Sequence, residues 1–202
     1  MIKKIAIPLF IFLTLTACVT QPPNNINNMC SVFMQYPHWY WTTQRTQRRW
    51  GVPISVQMAI IYQESRFRAY ARPPREHLLW IIPWFRPTSA DGYAQAINET
   101  WRRYKAETGH HFAKRDNFKD ADDFIGWFAY RAHRQLGISR ANAFRLYLAY
   151  HEGIQGYRWG TYRRKRWLID VAKRVQRKAW TYDWQLRRCR SELPTKPWYH
   201  FW

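Results

Sequence analysis

The sequence predicts an all-α domain. Apolar residues recur at i, i+3 or i+4 and i+7 in five separate segments, which is the period of one face of a helix. No segment shows the sustained apolar/polar alternation of a half-buried strand. The segments are also punctuated as helices are, with proline at a start and glycine at an end. Five to seven helices fit in the 202 residues, and that length suffices for one domain with its own core.

Pro53 suits a first helical turn, and Ile54, Met58 and Ile61 follow on one face. Ala94, Ile97, Trp101 and Tyr104 repeat the spacing and predict a second helix. Phe118, Ala121, Ile125, Phe128, Ala129, Ala132 and Leu136 form the cleanest stripe, ended by Gly137. Ser139 can cap the next helix, whose Ala143, Phe144, Tyr147 and Leu148 point one way. Leu168, Val171, Ala172, Val175 and Ala179 make the last stripe, with Lys173, Arg174 and Arg177 on its wet side. Residues 72–87 break the pattern, because four prolines among Leu, Ile, Trp and Phe forbid one long helix. Two readings stay open there. One is a loop whose aromatics tuck into the core; the other is a lid or hairpin that touches a membrane.

The N-terminus is read separately from the domain. Lys3 and Lys4 precede an apolar run from Ile5 to Ala17, too short to span a bilayer and suited to a secretory signal. The ending Leu15-Thr16-Ala17-Cys18 resembles a bacterial lipobox. That resemblance implies cleavage before Cys18 and a diacylglycerol on its sulfur. With Val19 rather than aspartate next, it implies the outer membrane, facing the periplasm. An ordinary signal peptide cut nearby, or a short anchor left in place, are the alternatives. The expected organisation is a signal peptide at 1–17, a lipidated cysteine and flexible tether at 18–29, and one domain at 30–202 with an insertion at about 72–87.

Net charge is +20, from 33 Lys+Arg against 13 Asp+Glu, and it calls for an anionic partner without bearing on fold. Export moves that partner away from nucleic acid toward phospholipid headgroups, lipopolysaccharide and cell-wall polymer. Thirteen Trp, 13 Tyr and 11 Phe suit sugar rings and membrane interfaces as well as an ordinary core. Cys30 and Cys189 can pair in an oxidising compartment, with two free thiols as the alternative. His77, His110, His111 and His133 match no familiar metal-ligand spacing, and neither metal nor cofactor is expected.

Glu64 is the candidate acid. A helix places it beside Ile60 and Ile61, where burial would raise its pKa. A carboxylic acid still protonated near neutral pH can give a proton to the leaving oxygen of a glycosidic bond. A surface or capping glutamate before Ser65 is the plain alternative.

Three stretches in order sharpen the reading: Tyr62-Gln63-Glu64-Ser65-Arg66-Phe67; Ser89-Ala90-Asp91-Gly92-Tyr93-Ala94-Gln95-Ala96; and Ala149-Tyr150-His151-Glu152-Gly153 with Gly156-Tyr157 and Gly160-Thr161-Tyr162. Over about residues 40–180 the chain resembles the soluble-lytic-transglycosylase domain, the lysozyme-like fold that cuts peptidoglycan. The resemblance implies that Glu64 is the single general acid and base and that Ser65 helps place the substrate's N-acetyl group. It implies that Gly92 allows the tight turn, that Tyr93 lines the cleft, that Gln95 reaches into it, and that Tyr150 hydrogen-bonds beside Glu64. The sugar's N-acetyl and 6-hydroxyl then complete the reaction, leaving a 1,6-anhydro end. His151-Glu152 replaces the family's Asn-Ala. Glu152 either faces the cleft, where it could activate water, or points away or pairs with one of the many arginines. The family's later tyrosine falls at Trp167 or at Tyr162. The rival readings are a water-using muramidase on the same fold, a non-catalytic wall-binding or scaffold lipoprotein of a secretion apparatus, and a nucleic-acid binder.

Overall fold

A computed structural model describes residues 21–73, 77–78, 82–83 and 88–195. Its helices are α1 (Met29–Gln35), α2 (Pro37–Trp50), α3 (Ile54–Ser65), α4 (Asn98–Thr108), α5 (Phe118–Leu136), α6 (Ala143–Trp159) and α7 (Arg166–Arg188), with a 3-10 turn at Thr161–Arg164. The expected all-α class is what the chain adopts. Among the described residues the strands are β1 (His77–Leu78) and β2 (Ile82–Pro83), a two-residue antiparallel pair with Leu78 opposite Ile82. Both strands fall within the segment 72–87; its two readings, a loop tucked into the core and a lid or hairpin on a membrane, turn on side chains that lie outside the described residues, as does Cys18.

α3 is the central helix. Val56, Gln57, Met58, Ala59, Ile60 and Ile61 are all buried, so it is covered on every side rather than along one stripe. It packs on α7, while α2 packs on α5 and α6 on α7. The one amide inside, Gln57, donates its Nε2 to Val52 O at 2.7 Å and Thr43 O at 3.3 Å. Buried amides need such partners, since an unmade hydrogen bond costs about 1–3 kcal/mol. Trp39 of α2 is fully buried and stacks on Phe118 at 4.0 Å, which ties α2 to the start of α5.

Several boundaries differ from the sequence reading. α4 starts at Asn98, not Ala94, because Gly92 and Gln95 both take left-handed backbone conformations that end any helix before it begins. α6 is capped by Asn142, which accepts from Arg145 N at 2.9 Å; Ser139 Oγ accepts from Ala141 N instead. Residues 21–28, read as flexible tether, lie against the domain. Tyr36 donates to Gln21 O, Asn24 N donates to Gln35 Oε1 at 2.9 Å, and Tyr182 donates to Ile26 O. α1 then starts at Met29, with Asn28 as its cap.

Cys30 and Cys189 form a disulfide, with Cα atoms 6.2 Å apart. It joins α1 to the end of α7 across 159 residues of chain. Closing a loop of that length stabilises the fold by up to about 5 kcal/mol in the chain-entropy model.

Candidate active site

The cleft is built from the end of α3, the turn at 88–97, the middle of α5 and the bend of α6. Its volume is about 1020 Å³ counting the open mouth, and Glu64, Gln95, Phe124, Phe128, Tyr150 and Glu152 are among its lining. Apolar walls with a few polar groups are the usual lining of a ligand cleft.

Glu64 is the next-to-last residue of α3. The helix ends without a glycine: Arg66 and Phe67 both have positive φ, 53° and 60°. Such backbone costs on the order of 1–3 kcal/mol per residue, and the complete burial of Phe67 against Trp39 offsets it. Burial pushes the Glu64 carboxyl up to about 7, and the hydroxyl of Tyr147, within hydrogen-bond reach, holds it from rising further. The carbonyl end of α3 also disfavours a negative charge there. The acid expected at 64 is therefore a carboxyl that keeps its proton close to neutral pH.

Tyr147 is the residue the sequence reading missed. It was assigned to the apolar face of α6, and it is indeed buried, but its hydroxyl serves Glu64. Burial raises the Tyr147 pKa, and the neighbouring Glu64 charge adds to that, so the phenol remains a donor. Tyr150, expected to bond beside Glu64, lines the same cleft but gives its hydroxyl to Ala94 O. Its ring sits edge-on to Phe128 at 5.0 Å. Burial, then the charge of Glu64, keeps it a neutral phenol as well.

Gln95 lines the cleft, and its amide is also the brace of the turn: Nε2 donates to Ala71 O at 2.6 Å and Gly92 O at 2.9 Å. Gly92 has φ +75°, and a Cβ there would sit 2.1 Å from the Arg115 carbonyl oxygen. Arg115, not foreseen, clamps the turn through Ser89 O, Ala96 O and Asn98 Oδ1 at 2.9, 2.8 and 2.6 Å.

Three expected substrate contacts are placed elsewhere. Ser65 is buried and returns its hydroxyl to Ile61 O at 3.2 Å, so it does not line the cleft. Tyr93 is a core residue, 1% exposed, edge-on to Trp39 and Phe118. Tyr162 stacks on Tyr157 at 5.1 Å, outside the cleft lining, and Trp167 meets only the rim, with its ring 5.1 Å from that of His151.

Glu152 does line the cleft, but it pairs with a lysine rather than an arginine. Oε1 receives Lys165 Nζ at 2.7 Å and faces His151 Nδ1 at 3.0 Å, and Thr161 donates to Oε2. Burial alone would raise its pKa; the hydrogen bonds from Lys165, Thr161 and His151, with the lysine charge, outweigh burial and lower it to about 2. α6 bends at Gly153, whose φ of 73° and ψ of 166° belong to a region open only to glycine. Tyr150, His151, Glu152 and Gly153 all line the cleft where the helix reaches this bend.

Among the described residues no three His, Cys, Asp or Glu side chains are placed to hold a metal ion, and His110 bonds Tyr104 and Arg49 instead. Comparison with curated proteins and with solved structures returned no match. The family model described as Transglycosylase SLT domain matches residues 6–189, nearly the whole chain. The seven helices among the described residues agree with the lysozyme-like fold of that family. With the match spanning the cleft and every helix among the described residues, the chain belongs to the transglycosylase SLT domain family.

Proposed function

We propose that this protein is a lytic transglycosylase that cleaves the β-1,4 bond between N-acetylmuramic acid and N-acetylglucosamine in peptidoglycan. The observation that carries the reading is Glu64, a carboxyl whose burial raises its pKa to about 7, in a cleft whose other carboxylate among the described residues, Glu152, is paired with Lys165. Glu64 gives its proton to the glycosidic oxygen as the C1–O bond breaks. The substrate's N-acetyl oxygen supports the positive charge developing at C1. The 6-hydroxyl then attacks C1, its proton returns to the Glu64 carboxylate, and a 1,6-anhydro end is left. No water enters the products, so a second carboxylate is unnecessary.

A muramidase needs a base to activate water. Glu152 at a pKa of about 2, held by Lys165 and Thr161, is a poor one. The reading therefore favours cyclisation over hydrolysis. Ser65, buried with its hydroxyl returned to Ile61 O, has no part in it.

The lysines, the apolar run and the lipobox-like ending at the N-terminus support export, a lipid on Cys18 and a periplasmic domain held at the outer membrane, with a cell-envelope or secretion complex as a further partner. Purified sacculi digested with the protein test the chemistry. Soluble muropeptides lighter by one water than those of a hydrolase are expected, and Glu64→Gln should release fewer by at least 1000-fold while keeping its circular dichroism. Hydrated products from the wild type would assign hydrolysis. Equal release by the variant would remove Glu64 from the mechanism.

A further inference from the structure

A second concavity, about 850 Å³ counting its open mouth, lies between α3 and α7 on the side of α3 away from Glu64. Ala59, Tyr62, Gln63 and Arg66 give it one wall at helical spacing; Glu64 projects from the other side of that helix. Arg174, Arg177 and Lys178 of α7 give it the other. Four cations thus share one groove, and among the described residues none of them forms an ion pair with a carboxylate. Two of them are held in place. The Arg66 guanidinium lies 4.0 Å from the Tyr62 ring centre and Lys178 Nζ lies 4.2 Å from it, and Lys178 also donates to Asn27 Oδ1 at 2.9 Å. Like charges converging without a counterion repel, so the groove is stabilised by an anion. One carboxylate satisfies one guanidinium fork; three guanidiniums and an ammonium suit an anionic group that offers several acceptor oxygens at once, or more than one such group side by side, which is phosphate chemistry.

Two further observations identify the source. Trp180 and Trp184, 65% and 56% exposed, lie one turn apart on α7 beside Arg177, and indole rings next to arginines are the composition of a membrane interface. The chain also enters the domain at this edge, since Asn27 touches Tyr62, Lys178 and Gln185, and the apolar run Ile5–Ala17 lies just upstream. We propose that the α3–α7 groove binds the phosphate of an anionic phospholipid headgroup and seats the domain on a membrane, leaving the cleft free for the wall. The orientation is reinforced by the reading of the N-terminus as an anchor, but the phosphate site does not depend on it.

The test is co-sedimentation of the full chain with vesicles of phosphatidylglycerol and, separately, of phosphatidylcholine. An apolar N-terminus contributes to both, so the groove is read as the excess affinity for phosphatidylglycerol. Arg174→Gln with Lys178→Gln should reduce that excess at least tenfold. Lys114→Gln with Lys119→Gln, the same charge change in the loop before α5 and its first turn, should alter it less than twofold. The single Arg177→Gln, at an exposed position, should lower it severalfold and serves if the double variant does not fold. No excess in the wild type would overturn the proposal, as would equal losses in the two double variants. Saturable binding of inorganic pyrophosphate without any vesicle preference would overturn the lipid source.

Discussion

At the residue scale the chemistry depends on one phenol and two carboxyls with opposite environments. Glu64 is held near 7 by burial and Glu152 near 2 by its partners. Activity against sacculi should therefore be level below about pH 7 and fall roughly tenfold per pH unit above it, as Glu64 loses its proton. Tyr147→Phe removes the donor that favours the Glu64 carboxylate. The alkaline limb should move to higher pH, and kcat should fall by about 10–100-fold, the loss of a hydrogen bond to a charged group. A pH–rate profile of the variant reads both changes; a loss of activity with an unmoved limb would make Tyr147 merely structural. Glu64 was legible in the sequence because a glutamate three and four residues beyond isoleucines must share their apolar face. Tyr147 was not, because a tyrosine on an apolar stripe gives no sign of where its hydroxyl ends. Ser65 and Tyr93 misled for the same reason: residue type and motif position do not state whether a side chain turns into the cleft or the core.

At the scale of elements, the turn at 88–97 and the bend of α6 shape the cleft. Gly92 is required twice, by its φ and by the approach of the Arg115 carbonyl. Gly92→Ala should destabilise the fold by on the order of 2–4 kcal/mol and lower kcat with it, because Gln95 and the cleft wall hang on that turn. Urea unfolding and sacculus release on one preparation check the two together. The stripe on α5 was legible to its last residue, since Gly137 follows it directly. α2 carried no stripe that identified it: its buried face is Trp39, Thr42, Thr43 and Thr46, largely polar by residue type. Its Pro37 and Gly51 were the available signals. The start of α4 was misplaced because Gln95 adopts a left-handed conformation that nothing in a glutamine announces.

At the scale of the molecule, stability and pH are linked through buried acids. Asp122 is fully buried on α5; burial pushes its pKa up to about 8, the Thr46 hydroxyl pulls the other way, and the Asp123 charge adds to the rise. In the unfolded chain Asp122 ionises near 3.8 and Glu64 near 4.5, whereas the folded protein retains both protons until about 8 and 7. The native state binds more protons across that window, so stability falls as pH rises from about 4 to 8. Glu152 acts oppositely, contributing stability that is lost as pH falls from about 4.5 to 2. Asp122→Asn should be roughly 3–5 kcal/mol more stable than wild type at pH 8 and nearly unchanged at pH 4, by chemical denaturation at the two pH values. Reducing the Cys30–Cys189 bond should lower stability by up to about 5 kcal/mol at either pH, read the same way. That the two cysteines lie near opposite ends of the domain was legible in their positions; that they meet depends on α1 lying against the end of α7.

The central claim is that the fold keeps a neutral acid at position 64, and a site-resolved titration of its side-chain carboxyl by carbon-13 NMR tests it most directly. The account predicts a midpoint near pH 7 in the wild type, rising in Tyr147→Phe. A midpoint at the ordinary glutamate value near 4.5 would contradict it.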